Sequence, residues 1–148
     1  MDKIFMKRAL ELALEAQKDG EIPVGAVVVK DSVIIGEGRN IRETQNKVSG
    51  HAEIMALNSA ADTLGDWRLN GCTLYVTLEP CPMCAAAIEQ ARLSRIVYGS
   101  ADEKMGAAGG KINMFAYDFS SPVTITPFVL KDECDKLLQD FFEKRREG

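Results

Sequence analysis

Four side chains among the 148 residues have types and spacings that could do chemistry together. His51, the one histidine of the chain, sits in GHAEIMALNSA at 50–60, with Glu53 two places on. The second stretch, LEPCPMCAAAI at 78–88, sets Cys81 and Cys84 three residues apart. At helical spacing, i and i+3 share a face, so both sulfurs can point at one ion. A helix start also favours thiolate, because its unpaired N–H groups and dipole stabilise negative charge. Two thiolates and a neutral imidazole make a credible Zn²⁺ set: their charges cancel the ion's, and a fourth tetrahedral position stays open for water.

A CxxC pair has other readings, a redox couple or half of a structural zinc site. Structural sites usually take four protein ligands, and there is no second histidine. Cys72 opens the strand leading to Cys81, so at ~3.3 Å per residue it lies roughly 20–30 Å away along an extended path. Cys134 stays open as a fourth ligand, although its place in an apolar stripe speaks for core packing. His51 alone could pack or cap a helix, and Glu53 alone could be a first-turn acid favoured by the dipole. Residues i and i+2 do not share a helix face. Both address one ion only if His51 stands at the helix start, before regular geometry begins, and Gly50 permits that.

The elements that must position these groups follow from periodicity. Phe5, Ala9, Leu12, Ala13 and Ala16 share one face of a helix over 3–18. VGAVVVK and VIIGEGR flank the turn Lys30-Asp31-Ser32 as a β-hairpin. Residues 51–64 are predicted helical, CTLYVTL a buried strand, 83–92 a helix and RIVYGS a strand. VTIT, bracketed by Pro122 and Pro127, is expected at a sheet edge. The last helix, 131–146, aligns Leu130, Cys134, Leu137, Leu138, Phe141 and Phe142. A hairpin followed by alternating helices and strands implies one α/β domain over 1–148, with helices covering a mixed sheet.

Composition agrees with a folded globule: 46% hydrophobic and 27% charged residues. The net charge of −4 weighs against a protein held to nucleic acid by charge alone. The amino-terminal stretch mixes acids and bases through an apolar pattern unlike a signal peptide. PVGAVVV is too short to span a bilayer, so no membrane association is expected. Four cysteines in such a chain read as cytoplasmic thiols or metal ligands rather than disulfides.

HxE followed by PCxxC is the signature of the zinc-dependent cytidine/deoxycytidylate deaminase superfamily. The chain is similar to its bacterial tRNA adenosine deaminases along nearly its whole length. The likeness runs through EIPVGAVVV, GEGRN, HAEIMAL, LYVTLEPCPMC, RIVYGSADEKMGAAG and ECDKLLQDFF. The resemblance implies a three-layer α/β/α cytidine-deaminase-like fold with a five-stranded mixed sheet. It implies one zinc ion per subunit on His51, Cys81 and Cys84, with Glu53 as proton shuttle and not a ligand. Zinc lowers the pKa of water toward neutrality, and one carboxylate can serve first as base and then as acid.

The expected reaction is hydrolytic deamination of adenosine to inosine at the wobble position of tRNA. Deamination of a free base or nucleoside, such as guanine, cytosine or cytidine, is the alternative with identical metal chemistry. The resemblance places Asn40, Asp102, Asn113, Phe142 and Arg146 against the RNA and implies a homodimer. Asn40 also reads as a turn asparagine, Phe142 as part of the apolar stripe, and Arg146 as a solvated helix end. Phe115, Tyr117 and Phe119 suit a dimer interface or the core equally. A tRNA anticodon loop is compatible with an acidic chain, since a splayed base is read by stacking and edge hydrogen bonds. Two departures from the family pattern, Val48-Ser49-Gly50 for Pro-Thr-Ala and Gly110 for serine, lie near the expected nucleic-acid path.

Overall fold

The computed structural model describes residues 1–117, 119 and 122–147, for Glu147 the backbone alone; Gly148, the expected domain end, lies outside them. Helix α1 (Asp2–Lys18) precedes β1 (Gly25–Lys30) and β2 (Val33–Arg39). Then come α2 (Ala52–Leu64), β3 (Thr73–Leu78), α3 (Pro82–Gln90) and β4 (Arg95–Ser100). A 3-10 turn at Met114–Ala116, β5 (Thr124–Thr126) and α4 (Lys131–Glu147) complete the order. The strands form one mixed sheet, β2-β1-β3-β4-β5, with β5 at an edge as its flanking prolines require.

Only β1 runs against the rest: it pairs antiparallel with β2 and β3, whereas β3–β4 and β4–β5 are parallel. The carboxyl ends of β2, β3 and β4 therefore open on the same side, where α/β sheets place their ligands. Alternate residues of β1 feed opposite cores. Val27 and Val29 pack with Phe5, Met6, Ala9 and Cys134 of α1 and α4. Ala26 and Val28 pack with Ala52, Ala56 and Ile88 of α2 and α3. Three layers result. Cys134 is buried in the first core, so its sulfur packs rather than binds an ion.

Two glycines set the position of α2. A side chain at Gly36 or Gly38 of β2 would overlap the backbone of α2 at Ala56 and Ala52. The helix lies directly on the strand, which carries its first residue to the cleft end of the sheet. On the opposite face of the sheet, α1 is latched by its first residue. Arg95 donates to both oxygens of Asp2 (3.0 and 2.6 Å), and the Tyr75 hydroxyl donates to Oδ1 (2.8 Å). The Arg95 guanidinium holds the Asp2 carboxyl below its ordinary 3.8. A lowered carboxyl pKa gives stability that is present above the unfolded value and lost as pH falls through the folded one. Asp2→Asn is therefore expected to cost about 1 kcal/mol at neutral pH. In paired thermal melts, the gap to the parent should shrink as the pH is taken below 3.8.

Candidate metal centre and active cleft

His51 and Cys81 are the N-cap residues of α2 and α3, both in extended backbone geometry. Neither uses its side chain to cap its helix, so imidazole and sulfur are left to face each other. The extended turn at His51 also resolves the i, i+2 conflict, because the histidine lies outside the helical screw that places Glu53. Pro82 begins α3 at the position where a missing N–H costs nothing. Cys84 lies in the first turn and is fully buried.

His51 Nδ1 stands 3.6 Å from Cys81 Sγ and 3.4 Å from Cys84 Sγ. All three donor atoms fall within 4.8 Å of one another. Zinc bonds of ~2.3 Å to sulfur and ~2.0 Å to nitrogen, at a tetrahedral angle, put S and N about 3.5 Å apart. The donor set fits such an ion in both chemistry and spacing. No fourth His, Cys, Asp or Glu joins the group among the described residues.

The two thiols share their protons unequally. Hydrogen bonding from Cys84, with His51 beside it, holds Cys81 down to about 4, in thiolate form. The Cys84 thiol is pushed up by that same hydrogen bond and by burial. His51 is raised, first by its contact with Cys81. Glu53, in the first turn of α2 and 4% exposed, is raised to about 7 by burial, with Cys84 and His51 near it. A carboxyl poised near neutrality can both accept and return a proton at working pH.

These groups open onto a cleft of about 270 Å³ at the carboxyl ends of β2, β3 and β4. Asn40 and Asp102 line it with His51, Glu53 and Cys81. Asn40 is buried, its amide donating to Ile22 O (3.4 Å) and accepting from Arg42 N (3.3 Å). Asn113 lies apart from the cleft: its Oδ1 accepts from Phe115 N (3.1 Å) and caps the 3-10 turn. Phe142 and Arg146 line a second depression, about 680 Å³, along α4 with Lys104. Phe142 is 41% exposed, at the rim of the apolar stripe, edge-on to Phe141.

Arg145 lines both the cleft and this depression, and sequence reasoning missed it. Its signal was the spacing Cys134, Leu138, Phe141, Arg145, which continues the buried face of α4 out to the cleft mouth. Arg42 and Met105 also reach the cleft wall from loops that carry no periodic signal. The Arg42 loop is pinned by buried Glu21, whose carboxylate accepts from Glu43 N (3.2 Å) and Thr44 N (2.7 Å). The two departures lie under such loops: a Cβ at Gly50 would crowd the Arg42 backbone, and one at Gly110 the Glu79 carboxylate.

Sheet order, helix layers and a His–Cys–Cys cluster at two helix starts together describe the cytidine-deaminase-like fold. The family model of the MafB19-like deaminases matches residues 1–146. A tRNA-specific adenosine deaminase from Haemophilus influenzae is 48% identical, over 99% of this chain and 86% of that protein. A solved structure from work on A-to-I editing by tRNA:A34 deaminases superposes with a TM-score of 0.87 at 39% identity, covering 90% of this chain and 98% of that one. The Bacillus subtilis guanine deaminase structure matches at a TM-score of 0.64 and 42% identity, over 77% of this chain and 73% of that one. The chain belongs to the deaminases, and within them to the tRNA-specific adenosine deaminase family.

Proposed function

We propose that the protein hydrolyses adenosine to inosine at the wobble position of tRNA, acting as one deaminase domain with one zinc ion on His51, Cys81 and Cys84. The observation that carries this is the 3.4 and 3.6 Å spacing of His51 Nδ1 from two sulfurs, beside buried Glu53, in a member of this family. When bound, zinc supplies Lewis acidity that makes water a nucleophile near neutral pH. Glu53 takes the proton as water oxygen attacks C6 of the adenine ring. It passes that proton to ring N1, then takes the proton of the new C6 hydroxyl and delivers it to the departing amine as the C6–N bond breaks, so that water and adenosine become inosine and ammonia. Asn40 and Asp102 orient the nucleoside from the cleft wall. Phe142, Arg146 and Asn113 contact the surrounding loop of RNA, and Arg145 adds a cation at the cleft mouth.

An anticodon stem-loop incubated with zinc-loaded protein tests the reading: inosine should appear at the wobble nucleotide. Zinc-loaded protein that forms none overturns it. The likeness to a guanine deaminase supports the second reading, deamination of free bases. In a panel of small bases, ammonia release with RNA left intact would favour it.

The same reading includes a homodimer in the cytoplasm. No helix among the described residues is long and apolar enough to cross a membrane. A depression of about 690 Å³ between α2 and α3, lined by Ile54, Leu57 and Trp67, supplies apolar surface for a second copy. None of the four reactive residues lines it. Trp67 is 52% exposed, with the Arg68 and Arg92 guanidiniums 4.4 and 5.4 Å from its ring. If this face forms the dimer, Trp67→Ala is expected to weaken association about 30-fold in sedimentation velocity. An unchanged dimer would place the interface elsewhere.

A further inference from the structure

We infer that Glu79 is a positioning residue for deamination, its buried carboxylate fixing the cleft wall to the turn that carries Cys81; this rests on the proposed function. Glu79 follows β3, two residues before Cys81, and is 2% exposed. Its Oε1 accepts from Asp102 N (2.9 Å), and its Oε2 from Ala108 N and Gly110 N (2.8 Å each). The main chain beside it is tied to the same loop: Glu79 N donates to Ser100 O, and Ala107 N donates to Pro80 O (2.8 Å each). The segment 101–112 has no helix or strand of its own; turn hydrogen bonds such as Gly106 N to Asp102 O (2.9 Å), together with the three bonds to the Glu79 carboxylate, set its shape. It wraps tightly, for a side chain at Gly106 would overlap both the Glu79 carboxyl and Asp102 O.

That loop faces the substrate cleft through Asp102 and Met105, and Glu79 itself borders the same cleft beneath them. Asp102 passes the constraint on, because its Oδ1 accepts from Lys104 N and Met105 N (3.0 Å each). One buried carboxylate thus registers the wall that holds the nucleoside against the turn that holds a metal ligand. A wall already ordered before binding costs less to engage, so this register bears on substrate affinity and not on the fold alone.

Glu79→Gln isolates the effect. Its amide oxygen can keep the Ala108 and Gly110 bonds, which leaves its NH₂ facing Asp102 N–H. The wall loosens at Asp102 while the turn stays. With an anticodon stem-loop, E79Q is expected to keep one zinc per chain, raise KM about 10-fold and leave kcat within about 3-fold. Gly106→Ala strains the same contact from the loop side, and it serves if E79Q fails to fold. The double variant should cost less than the two singles combined, as for residues in contact. Loss of zinc, a fall in kcat alone, or an unchanged KM despite a lower Tm would overturn the inference. Stem-loop Kd by fluorescence anisotropy needs no turnover and reads the same wall. If the parent forms no inosine, the proposed function fails, whereas a Kd indifferent to both substitutions fails the Glu79 inference.

Discussion

Glu53→Gln is expected to yield folded, zinc-loaded protein whose inosine formation is reduced by about 10²–10⁴-fold or more, the range of a positioned general acid–base. The substitution keeps the shape of the side chain and removes its ability to take a proton. Burial already disfavours the ionised carboxyl, so a neutral amide at this 4% exposed position should not lower the thermal midpoint. Zinc content by elemental analysis separates the two roles Glu53 could have. Metal retained at one per chain with turnover gone identifies a proton carrier. Metal lost on this change would make Glu53 a ligand and replace the proposed chemistry with a closed, four-residue site.

Cys84→Ser is expected to reverse that pattern, with metal and activity falling together. Cys84 is one of three donors, is fully buried, and has its sulfur 3.4 Å from His51 Nδ1. A hydroxyl is a far poorer partner for zinc than a thiolate. Even changes outside the ligand shell cost about 10–100-fold in metal affinity, so loss of a direct ligand should exceed that. Equilibrium dialysis against a chromogenic chelator measures the drop. Cys72→Ser and Cys134→Ser are the controls and should hold zinc at parent affinity. A metal affinity that depends on Cys134 would mean that the ion recruits the last helix. Unchanged metal binding in C84S would leave the pair with a redox role.

Much of this arrangement is written in local patterns, because hydrophobic period and turn chemistry act over a few residues. The strand expected over 72–78 spans Thr73–Leu78, and the helix expected over 83–92 spans Pro82–Gln90. These boundary shifts arise because Cys72 and Ala91 lie in the flanking turns and Pro82 opens its helix. The hairpin turn departs from the usual glycine chemistry: Asp31 and Ser32 adopt φ of 50° and 64°, the left-handed pair that a two-residue turn requires. Cys134, whose sequence pattern fits either a ligand or the core, packs against Gly99, where no side chain would fit. Phe115 packs against the α2–α3 core, whereas Tyr117 and Phe119 stand exposed, 5.8 Å apart.

What sequence alone left unread is the cleft wall. Glu79 stands next to Pro80 and Cys81, yet nothing in its local pattern says that its partners are Asp102, Ala108 and Gly110. Those contacts exist only because β4 pairs beside β3 and returns the chain to the same edge. Arg42 and Arg145 are likewise delivered to the cleft by tertiary packing. Asn113, singled out by resemblance, also caps the 3-10 turn through its side-chain oxygen.

The reversed direction of β1 has a consequence for how the molecule assembles. The two sulfurs sit within one helical turn and come together as soon as that turn forms, early and without help from distant segments. The imidazole reaches them only after β1 has bridged β2 and β3, a slow closure of long loops. During synthesis the thiol pair should therefore capture metal loosely, and tight retention should appear late, in step with completion of the sheet. Stopped-flow refolding with a zinc-sensitive dye would resolve these as two phases, the second tracking the rise of native tryptophan fluorescence.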